Sequence, residues 1–143
     1  MKRFSGILFL FFVALVCVMP SCTKKETAET RLTRMQHKWK LIKTATDANG
    51  NGVIDASEIQ PVQSGVTTIT FNKDLSGVET IAINGVTTDY PFTWAMDGTL
   101  DTVTRNGVGH NQIKYFLADI SSTNMELTTT TDLGLAAYFY AIN

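Results

Sequence analysis

The 143-residue chain sets 12 Lys and Arg against 13 Asp and Glu, for a formal net charge of −1, with 44% hydrophobic residues and two cysteines. No Lys/Arg cluster could track a phosphate backbone, which argues against nucleic acid as a partner. The cysteines, at positions 17 and 22, are too near the N-terminus to staple a fold together.

Lys2 and Arg3 precede an apolar run from Gly6 to Val18, followed by Pro20, Ser21 and Cys22. The run is shorter than the roughly 20 residues that span a bilayer, and the pattern predicts a secretory signal over residues 1–21. Its ending, VMPSC, resembles the lipobox of bacterial lipoproteins, in which the cysteine becomes the lipid-bearing first residue. Ser21 supplies the small residue of that motif, and Met19 stands where the family prefers Leu. The resemblance implies acylation (palmitate included) at Cys22 and a lipid anchor in the outer membrane of the cell envelope. A retained membrane anchor and an ordinary cleavage site with a leftover thiol are the alternatives. Residues 22–30 read as a polar, flexible tether, similar to those of lipoproteins from Bacteroides-like bacteria. Loss of Lys2 and Arg3 takes the formal charge from −1 to −3, and residues 31–143 make one domain able to bury its own core.

That domain opens with a short helical stretch, where Leu32 and Met35 are three apart and Thr30 could cap. From Trp39 the pattern becomes a strand, with Trp39 and Leu41 on one face and Lys40 and Ile42 on the other. After a polar loop come seven short segments rich in Thr, Val, Ile and aromatics: Val66–Lys73, Val78–Asn84, Thr87–Met96, Thr99–Arg105, His110–Ile120, Met125–Thr131 and Leu135–Ile142. Asn84-Gly85 is a strong hairpin signal and Asp97-Gly98 a second one. Pro91 deletes a ladder donor within its strand and calls for a bulge or an edge position. About eight strands in consecutive order predict an all-β fold, an antiparallel up-and-down barrel that removes its own edges, with an open sandwich as the rival.

The polar loop is DANGNGVIDASE, Asp47 to Glu58. By offset it places Asp47, Asn49, Asn51, the Val53 carbonyl, Asp55 and Glu58 where a calcium-binding EF-hand loop has its oxygen ligands, with Gly52 at the sharp turn and Ile54 as the apolar anchor. The entering helix is replaced by a strand, and Pro61 limits any exiting helix to about one turn. The loop is similar to single calcium loops of extracellular modules, and the predicted role of calcium is structural. The other reading is a solvated turn with Asn and Gly serving the backbone.

The short helical turn, KWKL at Trp39 and the run of antiparallel strands behind a lipoprotein signal resemble the lipocalin-like domains of Bacteroides-type lipoproteins. Trp39 matches the Trp that lipocalins place near the start of the first strand, at the closed end of the barrel. His37 stands where the family has a glycine, and the last strand holds no Arg to pack over the Trp. The resemblance implies a calyx-like barrel and a small apolar ligand. Trp39, Tyr90, Phe92, Trp94, Tyr115, Tyr138 and Tyr140 are the candidate lining, with a packed core as the competing reading for such an aromatic row. His37 and His110 are too isolated for a transition-metal site, no serine sits in a nucleophile-elbow context, and Asp97, Asp101 and Asp119 fall at turns or outward positions. The expected function is non-enzymatic: a lipid-anchored envelope protein that binds a small apolar ligand, or alternatively a packed barrel that binds an envelope protein.

Overall fold

The protein is described here by a computed structural model covering residues 28–107 and 112–143; the expected leader, Cys22, most of the tether and His110 lie outside the described residues. A helix, α1 (Ala28–Met35), leads into nine strands: β1 (Lys38–Thr46), β2 (Ile59–Pro61), β3 (Val66–Phe71), β4 (Ser76–Ile83), β5 (Val86–Met96), β6 (Thr102–Gly107), β7 (Ile113–Ile120), β8 (Asn124–Thr131) and β9 (Gly134–Ile142). Thr30, expected as a cap, lies inside α1, which is already running at Ala28.

β3 to β9 follow one another as antiparallel neighbours, and β9 returns to pair with β1 from Trp39–Ile142 to Thr46–Ala136. The sheet therefore closes into an eight-stranded barrel, as the consecutive order predicts. β2 is an addition. β3 pairs with Lys38–Lys40 of β1, and β2 takes the same edge further along, at Lys43–Ala45. Between the two lies a bulge at Leu41/Lys43 on the opposite ladder, to β9, which switches the face of the residues beyond it. β2 escapes the sequence pattern because it is three residues long, ends in Pro61 and has no alternation to detect.

The turns follow local chemistry. Asn84 and Gly85 take φ of 51° and 80°, the two positive values of a tight hairpin turn. Asp97-Gly98 does open the β5–β6 hairpin, but in a loop longer than a two-residue turn, whose left-handed residue is Leu100 at φ 59°. The Asp97 carboxylate accepts from Thr99 Oγ1 and from the N–H groups of Asp101 and Thr102, so the loop is wrapped around it and β6 starts at Thr102 rather than Thr99. Pro91 pairs with Val78 in unbroken register, and β6 joins β5 only from Phe92 onward, so Pro91 stands on a stretch of β5 with one neighbour.

Alternation sends Trp39, Ile69, Phe71, Phe92, Trp94, Val103, Leu117, Met125 and Leu127 inward. They fill the end of the barrel where β1 begins and β5 and β7 finish. α1 closes that end. Met35 is fully buried in the same cluster, Trp39 donates its indole N–H to Met35 O at 3.2 Å, and Arg34 donates to Ile120 O at 3.2 Å. Arg31 pairs with Asp101. His37 meets the Trp39 ring edge-on with centroids 6.2 Å apart.

Candidate ligand cavity and the loop at its rim

Toward the opposite end, where β4 and β6 finish and β7 begins, the interior is not filled. A cavity of about 310 Å³ is lined by Leu41, Ile81, Ile113 and Gly107 together with Tyr90, Tyr115, Tyr138, Tyr140, Glu79 and Arg105. Strand parity brings these together: Glu79 follows Gly77 and precedes Ile81 on the inner face of β4, and Arg105 lies between Val103 and Gly107 on the inner face of β6.

Arg105 reaches across β5 and donates from Nη2 to Glu79 Oε2 at 2.6 Å; their side chains retain only 13% and 22% of their exposure. The guanidinium lies 4.4 Å from the centre of the Phe92 ring, which supports it from below. Tyr115 and Tyr138 stand edge-to-face with centroids 6.1 Å apart. Burial pushes the Tyr115 and Tyr140 phenols above the ordinary 10.0, while Arg105 pulls the other way. The Tyr115 and Tyr140 hydroxyls are therefore neutral near pH 7, each able to donate and accept. The β7–β8 seam is also incomplete at this end. The β7–β8 ladder ends at Phe116–Thr128. Beyond it a groove between Ile113–Tyr115 and Thr129–Thr131 shares Ile113, Tyr115 and Tyr138 with the cavity.

Of the residues expected to line a ligand site, Tyr90, Tyr115, Tyr138 and Tyr140 border this cavity. Trp39, Phe92 and Trp94 do not. They are at most 3% exposed and form its packed floor, because they lie on the half of their strands that α1 seals. Glu79 and Arg105 were not anticipated. The available signal was a charged residue at an inward-facing position in each of two strands.

The DANGNGVIDASE loop leaves the same end of the barrel from β1, and Asp47 N–H donates to Leu135 O at 2.8 Å. Asp47 is 5% exposed, and its carboxylate accepts from Asn51 N–H at 3.1 Å and Gly52 N–H at 2.8 Å. Gly52 has φ of 80°, a value only glycine takes freely. Glu58, at the end of one 3-10 turn (Ala56–Glu58), folds back to accept from the N–H groups of Ala48, Asn49 and Asp55. Asn49 and Asn51 both donate side-chain amides to Asp55 Oδ2, at 2.9 and 3.1 Å. Val53 is exposed, with its N–H on Asn51 Oδ1. The loop is thus wound around its own carboxylates, whose partners are backbone N–H groups and Asn amides. Among the described residues, no three His, Cys, Asp or Glu side chains are grouped so as to hold a metal by themselves. A complete shell here would draw on the Asn49, Asn51 and Val53 oxygens as well.

No protein-family profile matches the chain, and no curated protein does either. Among solved structures, a lipocalin-like protein from Bacteroides uniformis is similar over 77% of this chain and 99% of its own, at 13% identity and a TM-score of 0.57. The fold is lipocalin-like. An uncharacterized protein from Bacteroides eggerthii aligns over 75% of this chain and 98% of its own, at 12% identity and TM-score 0.53. Japanin from Rhipicephalus appendiculatus, in a structure bound to cholesterol, aligns over 75% and 74%, at 8% identity and TM-score 0.50. In this lipocalin-like barrel Trp39 sits buried at the closed end, as the resemblance implies.

Proposed function

We propose that the protein is a lipid-anchored lipocalin-like binder of the cell envelope that holds a small apolar ligand in the open half of its barrel. The observation that carries this reading is the cavity of about 310 Å³ beside Leu41, Ile81, Ile113 and the tyrosines. A packed barrel that serves only as a docking module would have no use for it, since removing side-chain volume from a core costs stability. Concave, mostly apolar sites with a few placed polar groups are the usual form of small-molecule pockets, and japanin, a barrel of similar fold, holds cholesterol. The role is binding rather than catalysis: Asp101 is engaged by Arg31 and Asp97 by its own loop. Native mass spectrometry of the purified protein should reveal a co-purified small molecule. A barrel that arrives empty and takes up no apolar fluorophore would remove the ligand reading.

Two further assignments complete the proposal. Cys22 carries the lipid, which predicts that labelling with a palmitate analogue is lost in Cys22→Ala. The rim loop binds one calcium ion through Asp47, Asn49, Asn51, Val53, Asp55 and Glu58. Its three carboxylates, which accept from backbone N–H groups and Asn amides, suit a hard divalent cation. Calcium there would crosslink the longest connection in the barrel.

A further inference from the structure

From the Glu79–Arg105 ion pair inside the cavity we infer that the ligand is an uncharged amphiphile: an apolar body with one neutral hydrogen-bonding head, such as a hydroxyl, carbonyl or amide. The inference rests on reading the cavity as a ligand site.

An arginine alone on the wall of an apolar cavity would attract anions. Here its charge is already matched. Glu79 Oε2 lies 2.6 Å from Arg105 Nη2, with both side chains largely withdrawn from solvent. An incoming carboxylate meets one of two penalties. Beside the intact pair it faces the like charge of Glu79 across a medium that screens poorly. If it displaces Glu79, that carboxylate is left partly buried without its partner. An ammonium group meets the mirror-image problem at Arg105. A neutral head meets neither, because a guanidinium has five N–H donors and a carboxylate several acceptor sites, so capacity remains after the mutual bond.

Phe92 adds to this by holding the guanidinium plane 4.4 Å from its ring centre. Reorientation of Arg105 toward a new anion would forfeit that contact. The polar groups of Glu79, Arg105 and Tyr115 share the lining with the apolar side chains of Leu41, Ile81 and Ile113. The cavity thus offers a charge-matched polar anchor beside an apolar surface, with the tyrosines of the lining as further uncharged partners.

The test uses the full-length chain in lipid nanodiscs, with empty nanodiscs subtracted, and two matched series of probes. One is flat (2-naphthylmethanol, 2-naphthoate and 2-naphthylmethylammonium) and one is linear (decanol, decanoate and decylammonium). Binding is read by calorimetry at pH 7. The alcohol of at least one series should bind about tenfold or more tighter than both of its charged counterparts. In Glu79→Gln the unmatched Arg105 should reverse the order of alcohol and carboxylate. The double variant Glu79→Gln/Arg105→Gln should keep the preference for alcohol, and it decides the matter if the single variant does not fold. A carboxylate or amine that binds wild type as tightly as its alcohol overturns the inference while leaving the cavity a ligand site. If no probe of either series binds, the underlying cavity reading falls with it.

Discussion

Gly77 of β4 lies against the ring of Phe92 so closely that a Cβ there would stand 2.3 Å from ring atoms Cε2 and Cζ and 2.7 Å from Thr70 O. The ladder register places Phe71, Gly77 and Phe92 side by side on three adjacent strands. The two phenylalanine rings meet edge-to-face at 5.6 Å, in the space that the missing side chain leaves. Gly77→Ala should therefore push Phe92 off its rotamer, at a cost of about 1–3 kcal/mol. Since Phe92 supports Arg105, ligand affinity should fall as well. A urea midpoint equal to wild type would show that the ring moves aside freely.

Met35 couples the helix to the barrel floor. It is fully buried, and its carbonyl accepts both the Trp39 indole N–H and the His37 N–H. Met35→Ala removes the side chain while leaving those bonds in place, so its cost should be that of a core cavity, about 2–5 kcal/mol. Trp39 and Trp94, the two tryptophans of the chain, report unfolding by fluorescence. A loss well under 1 kcal/mol would mean that α1 contributes little to closing the barrel.

High pH should unfold the protein through its interior tyrosines. Burial raises Tyr115 and Tyr140 above the 10.0 expected of an unfolded chain. Above about pH 10 the unfolded state gives up these protons while the folded state keeps them. The stabilisation they provide is thus complete below pH 10 and is lost as pH climbs toward the folded values. Tyr140→Phe should flatten that fall in a plot of thermal midpoint against pH. The same slope in variant and wild type would place the alkaline transition elsewhere.

The calcium proposed for the rim loop would have a calorimetric signature. With an affinity typical of extracellular modules, about 10⁻⁴–10⁻³ M, about 10 mM calcium should stabilise the fold by roughly 1.4–2.7 kcal/mol. Asp47→Ala should abolish that gain. It should also cost about 1–2 kcal/mol in chelator, because the Gly52 N–H loses its acceptor and the Asn51 N–H is left with Asn49 Oδ1 alone. A wild-type thermal midpoint indifferent to calcium would leave the loop a self-bonded turn.

Much of the architecture was legible in the residues because strands and turns are encoded locally. Period-two alternation marked the strands, and Asn84-Gly85 marked a tight turn that the backbone takes with both φ values positive. Trp39 was legible as an inward residue of the first strand, but it was expected to line a ligand site and is instead fully buried in the floor. Asp97-Gly98 marked a hairpin but not its turn, because the Asp97 side chain organises a longer loop that puts Leu100, not Gly98, in the left-handed region. Side-chain capping of this kind competes with dipeptide preference and leaves no periodic trace.

By itself the sequence determined an all-β chain of about eight consecutive strands behind a short helix, since alternation and turn residues act over a few positions. Only the tertiary structure decided which half of each inward face is core and which is cavity. Phe92 and Tyr90 are two residues apart on one face of β5. One is floor and the other is lining, because α1 seals a single end of the barrel. The Glu79–Arg105 pair was likewise beyond sequence reasoning. Twenty-six positions separate its members, and they meet only because β4, β5 and β6 lie side by side in one curved sheet.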